Sequence, residues 1–254
     1  MNVIWSIAKN TYREIVRDKL LYGILVIGLL VTGSSFFLAT ISFDQNARVT
    51  QDIGLAAIHL FALCICVFVA TNSLAHDEDR RALYLLFSKP ISRGQYILGK
   101  YLGFILLLLT TLAILGGFFL IGAFATERGI MLGSVMDLAY SFLEISLLLA
   151  IGVMFATFTA PLNASLYTIA LFVIGHSLDM MRNSVAVASS AVLHALISAC
   201  YYLLPNLAKF DRRADILYGI HIPPISVLWT LVYWAVYNGL VLLVAVRVMR
   251  SREV

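Results

Sequence analysis

Six stretches of this sequence, 20–42, 53–75, 100–125, 136–158, 164–181 and 225–248, are apolar for long enough to cross a bilayer. A helical span needs roughly 20 residues at 1.5 Å rise each. Lipid offers no partner for backbone N–H and C=O groups, so only helices and closed barrels cross it. Barrel strands alternate apolar and polar residues, whereas these runs are continuous, which selects helices. The balance of residues agrees: 61% are hydrophobic and 13% charged, against about 45–50% and about 25% in soluble domains. The expected fold is an all-α integral membrane protein, one transmembrane domain over 1–254 with six spans.

The segments between the spans set the rest of the layout. Residues 1–19 mix apolar and basic residues at helical spacing. Ile4, Ala8, Tyr12, Ile15 and Lys19 fall along one side, and Lys9, Asn10, Arg13 and Arg17 largely along another. This predicts an amphipathic helix lying in the membrane interface. The first apolar run behind it is full length and is read as a retained span, not a cleavable signal. Residues 43–52 and 126–135 read as polar links. At 159–163, Pro161 is expected to stop one helix and Asn163 to cap the next. Residues 76–99 form a charged cytoplasmic segment, and 182–224 an outer one.

Orientation follows from Lys and Arg. With the N-terminus inside, the inner side carries Lys9, Arg13, Arg17, Lys19, Arg80, Arg81, Lys89, Arg93, Lys100, Arg247, Arg250 and Arg252. The outer side carries Arg48, Arg128, Arg182, Lys209, Arg212 and Arg213. Both termini are therefore expected in the cytoplasm. The stretch 184–204 is apolar enough for a seventh span, and the charge balance is the same either way. Its polar stripe (Ser190, His194, Ser198, Tyr201) and its wealth of Ala and Ser favour a helix at the outer surface. The formal net charge of +4 reads as a membrane-surface bias and not as a nucleic-acid footprint.

Few residues offer chemistry. Gly94 to Tyr101 nearly spells a phosphate-binding loop, but the final hydroxyl residue is replaced by Tyr101 and a membrane helix follows where a soluble one is required. Cys64, Cys66 and Cys200 lie in apolar runs without metal or disulfide spacing. His76 to Asp79 are adjacent, so they cannot all face one metal ion on a helix. No Ser/His/Asp or Cys/His arrangement suggests hydrolysis. Gly99 and Gly103, four apart, would admit a close neighbouring helix. The most conspicuous ionisable residue at membrane depth is Glu144, where a charge costs about 2.5–3.5 kcal/mol on insertion scales. Either it lines a substrate path or subunit seam, or it makes a structural hydrogen bond to a Tyr or Ser of another span. His59, His176 and Asp179 are weaker cases near span ends.

The order of parts resembles the permease subunits of type-two ABC transporters, in the branch that includes the nitrous-oxide-reductase maturation permease. The most specific match lies in the charged segment: Glu78, then Leu85-Leu86, then Ser88-Lys89-Pro90-Ile91-Ser92-Arg93, and Gly99-Lys100 at the next span. Asn10, Arg13, Glu14 and Arg17 of the leader fit as well, as do Leu204-Pro205-Asn206 and Phe210. The sequence departs at Arg81-Ala82, where the family usually has Gly-Thr.

The resemblance implies a permease that binds no cofactor itself. ATP and Mg would be held by a separate cytoplasmic ABC ATPase, and the permease would pair with a second copy or a related chain in a bacterial inner membrane. The docking surface would comprise Glu78, Arg81, Tyr84, Leu85, Leu86, Ser88, Pro90 and Arg93. A short apolar ridge flanked by charges suits such a contact, since the ridge buries and the charges set register. The expected activity is export of a lipid-like or amphipathic cargo. Two other classes stay open: an intramembrane enzyme using Glu144 or the His76–Asp79 cluster, and a non-transporting scaffold or sensor that binds an ATPase. The six-span layout predicts that a cysteine introduced at Arg213 is labelled by an impermeant reagent from outside intact cells. Labelling only from inside would mean seven spans.

Overall fold

The computed structural model describes residues 3–41, 46–79, 91–126, 131–182, 184, 191–218, 220 and 222–251. They form helices α1 (Val3–Val16), α2 (Lys19–Ile41), α3 (Asn46–Asp79), α4 (Arg93–Thr126), α5 (Met131–Ala156), α6 (Pro161–Arg182), α7 (Ala191–Leu203), α8 (Arg213–Leu217) and α9 (Pro224–Ser251), with a 3-10 turn at Leu207–Lys209. Among the described residues no strand occurs, and six helices (α2–α6 and α9) are long and apolar enough to cross a membrane. α7 has 13 residues, only ~20 Å of helix.

Several helices run past the limits the sequence suggests. α3 starts at Asn46, so most of the expected polar link at 43–52 is helical, and it continues through His76 to Asp79. α4 starts at Arg93, seven residues before the expected span. The charged segment thus gives up both its ends to helices. Pro161 opens α6, where its missing N–H is no loss, and Asn163 lies inside the first turn instead of capping it.

Local chemistry fixes two of the starts. The backbone N–H of Leu20 donates to Asp18 Oδ1 at 2.9 Å, an N-cap that breaks α1 from α2. At α4 the bonds are reciprocal. Ser92 N–H donates to Gln95 Oε1 at 3.0 Å, and Gln95 N–H donates to Ser92 Oγ at 3.2 Å. This is a capping box, spelled S-x-x-Q in the sequence.

The packing is inverted relative to a soluble protein. Large apolar side chains such as Leu30, Phe37, Ile121, Trp229 and Leu243 are exposed, while Glu144, Asp137, Ser146, Thr168 and Asn238 are buried. One apolar core surrounds α4, with Phe104, Leu107, Leu108, Leu115 and Phe119 at its centre. A second joins Leu147, Leu148 and Ile151 of α5 to Leu207 and Phe210 of the 3-10 turn region.

α1 lies in contact with α4. Its buried face is Ile7, Ala8, Thr11 and Ile15, with Lys9 and Arg13 exposed. Lys19, expected on the apolar side, belongs to α2 and is exposed. The contact is made possible by the glycine pair. A methyl group on Gly99 would sit 2.7 Å from Ile7 Cβ, and one on Gly103 would sit 2.8 Å from Thr11 Cβ and 2.9 Å from the Ala8 carbonyl oxygen. By contrast, a methyl on Gly117 of the same helix meets nothing within 4 Å.

Overpacking costs about 1–3 kcal/mol. Gly103→Ala should therefore lower the thermal midpoint of the detergent-purified chain, while Gly117→Ala should leave it unchanged or slightly raised.

Candidate functional site

Three helices bring their ionisable side chains to one place. Glu144, at mid-length on α5, has a side chain only 3% exposed. Its Oε1 lies 3.3 Å from His176 Nε2 on α6 and 3.7 Å from His59 Nε2 on α3. His59 Nδ1 in turn lies 3.0 Å from Ser141 Oγ, one turn before Glu144. His176 Nδ1 lies 3.2 Å from the Phe172 carbonyl oxygen. The Phe172 ring tilts against both imidazoles, with centroids 6.3 Å from His59 and 4.6 Å from His176.

The partners of Glu144 are therefore two histidines, not the Tyr or Ser of another span that the sequence suggested. The serines near it look elsewhere: Ser141 to His59, and Ser146 to Trp234, whose Nε1–H donates to Ser146 Oγ at 2.7 Å. The α5–α6 pairing was recoverable from spacing. The two helices are joined by the turn around residues 157–160, so residues at similar distance from it meet, and 144 and 176 nearly satisfy that. Nothing in the sequence places His59 of α3 beside them.

Below this triad a second polar seam ties α4, α5 and α9. Tyr101 O–H donates to Asn238 Oδ1 at 2.8 Å, and Asn238 Nδ2–H donates to the Trp234 carbonyl at 3.1 Å. Tyr101 is the residue that breaks the near phosphate-loop motif; here Gly94 to Tyr101 lie within the continuous helix α4. A third seam joins α3 to α6, through Thr71 Oγ1 and Ser165 Oγ at 2.6 Å.

Polar contacts also close the end of the bundle away from the chain termini. Arg213 Nε lies 3.7 Å from Asp137 Oδ1, and Gln51 Nε2–H donates to Ser134 Oγ at 3.5 Å. Asp179 accepts from Asn206 Nδ2 at 2.9 Å, and the Asn206 N–H donates to Tyr233 Oη at 2.7 Å. Lys209 stands over the Tyr233 ring, 4.3 Å from its centroid. Asn206, with Leu207 and Phe210 buried beside it, thus stitches the connection between α6 and α9 to both helices.

Of the expected docking residues, Arg81, Tyr84, Leu85, Leu86, Ser88 and Pro90 lie outside the described residues, as does the side chain of Glu78. Arg93 is described. Its Nη1–H donates to the Met249 carbonyl near the C-terminal end of α9. Gly94 lies against Val246 of the same helix.

Inter-helix hydrogen bonds in membranes average about 0.6 kcal/mol, with a maximum near 1.7. Asn238→Leu, which breaks the α4–α9 bond and leaves Tyr101 only the Ser146 carbonyl at 3.4 Å, should destabilise the chain by about 1–2 kcal/mol in reversible denaturation from mixed micelles. Tyr101→Phe in the same background should then cost little more.

Residues 5–236 match the family described as ABC-2 family transporter protein. Among curated proteins, the chain is 32% identical over 123 residues to the "Probable ABC transporter permease protein NosY" of Pseudomonas aeruginosa, covering 46% of this chain and 44% of that one. It is 28% identical over 124 residues to the protein of the same description from Stutzerimonas stutzeri, with the same shares covered. The aligned stretch spans less than half the length of either relative. The match across most of its length, with six helices of spanning class, places the chain in the ABC-2 family of transporter proteins.

Proposed function

We propose that this chain is the membrane half of a bacterial inner-membrane ABC exporter, driven by a separate cytoplasmic ATPase subunit. The observation that carries this reading is the match to the ABC-2 family over residues 5–236. The ATPase holds ATP and Mg; the permease contributes the path and a docking segment between α3 and α4. The permease works as a pair, with a second copy or a related chain. Both termini face the cytoplasm.

The geometry supports a mechanical role for the charged segment. Its far end is rooted in the bundle at three points. The Ser92–Gln95 capping box fixes where α4 begins. Arg93 is tied to the end of α9. Gly99 and Gly103 seat α1 against the first turns of α4. A push delivered at Ser92 and Arg93 therefore reaches α1, α4 and α9 together. Within the bundle several polar groups bond one another across helices and the outward faces are apolar, which suits an amphipathic or lipid-like cargo that leaves through the seam between two permeases.

Co-expression of the chain with a neighbouring ATPase gene should yield a complex that survives affinity purification in detergent. Glu78→Lys should weaken that complex at least tenfold while leaving the permease monodisperse. A complex indifferent to this reversal would remove the docking assignment. Failure to capture any ATPase would remove the exporter reading.

A further inference from the structure

The hydrogen-bond geometry around His176 fixes where its hydrogen must be. Nδ1 faces the Phe172 carbonyl oxygen at 3.2 Å, and a carbonyl oxygen only accepts, so Nδ1 carries a hydrogen. In the neutral ring Nε2 is then a bare lone pair. That lone pair lies near Glu144 Oε1, with 3.3 Å between the two atoms. An ionised carboxylate oxygen and an unprotonated imidazole nitrogen are both acceptors, and buried together they repel. Glu144 Oε1 is buried and takes no hydrogen bond of normal geometry from any described group, the two histidines included. Two arrangements relieve the conflict: a carboxylic acid donating to Nε2, or an imidazolium donating to the carboxylate. Both contain one proton, and both leave the pair electrically neutral, as its burial demands.

His59 adds a second place for that proton. Its Nε2 is 3.7 Å from the same oxygen, while Nδ1 is engaged with Ser141 Oγ, which can act as donor or acceptor. We propose that Glu144, His176 and His59 form a proton-binding site inside the bundle, which holds α3, α5 and α6 together while it carries one proton and releases α6 from α5 when that proton leaves. This goes beyond the exporter reading and does not rest on it: the site belongs to the single chain.

Other charged and titratable groups lie around α5. From the outer end, Asp137, Arg213 and Asp211 act on Glu144 through space, and Asp52 of α3 acts on Asp137. Arg212 and Asp215 pair at 3.1 Å beside α8 and act on Tyr140. α4 presents Tyr101 to Ser146, and α9 presents Trp234 and Asn238, which are uncharged. The test must therefore separate the triad from the outer-end pair.

The full chain in nanodiscs is followed by its thermal midpoint between about pH 6 and pH 9, as wild type, Glu144→Gln, His176→Phe and Asp137→Asn. A glutamine amide donates to Nε2 without titrating. Wild type should lose about 4 °C or more as pH rises, and Glu144→Gln should hold a flat profile. His176→Phe, which strands the carboxylate, should be destabilised throughout. Asp137→Asn should keep the wild-type slope. An unchanged slope in Glu144→Gln, or a slope abolished by Asp137→Asn, overturns the proposal. If Glu144→Gln does not insert, ¹⁵N-histidine spectra of wild type decide: the His176 Nε2 resonance must move over the same pH range, and a static resonance overturns the proposal. Stoichiometric zinc or copper retained by wild type and lost in Glu144→Gln would overturn it in favour of a metal site.

Discussion

In a bilayer, apolar surface gives one helix no preference for another over the surrounding lipid, so the bundle is held by close approach and by polar contacts that have no other outlet. That constraint organises this chain. Many Leu and Phe side chains face outward around an apolar core, and hydroxyls, amides and a carboxyl group face inward. Several inward polar groups reach a different helix: Thr71 to Ser165, Trp234 to Ser146, Tyr101 to Asn238, Glu144 to His176 and His59. The Glu144 contact has the highest stakes, because an unpaired buried charge there costs more than any of the neutral bonds returns. Close approach does the rest. α1, short and basic, is kept on the bundle because α4 offers it two positions without side chains.

The six spans were legible because run length and continuity are properties of the sequence alone. So was the use of Gly99 and Gly103, since two glycines at i and i+4 leave a flat stripe on one helix face. What they admit was not legible. The amphipathic pattern of residues 3–16 looks the same whether its apolar face meets lipid or α4, and only packing separates the two. The helix starts at Asn46 and Arg93 were missed for another reason. Polar residues end an apolar run but do not end a helix, and the S-x-x-Q signal at Ser92 went unread.

The candidate site divides the same way. Glu144 stood out because a carboxylate at membrane depth is costly wherever it lies. Its partners did not, because His59 and His176 are 85 and 32 residues from it in the sequence. A histidine near the end of an apolar run reads as wetted until a neighbouring helix is placed beside it. Asp179 was read the same way, and it bonds Asn206 of the outer segment, a contact between parts of the chain that share no periodic pattern.

The root of α4 is gripped from two sides by helices far apart in the sequence: α1 lies in its glycine groove, and α9 offers Arg93 a carbonyl near its C-terminal end. Two helices more than 200 residues apart in sequence are thereby joined through a third element. A probe attached to α1 or to α9 rides on that junction, so the two report on one mechanical point.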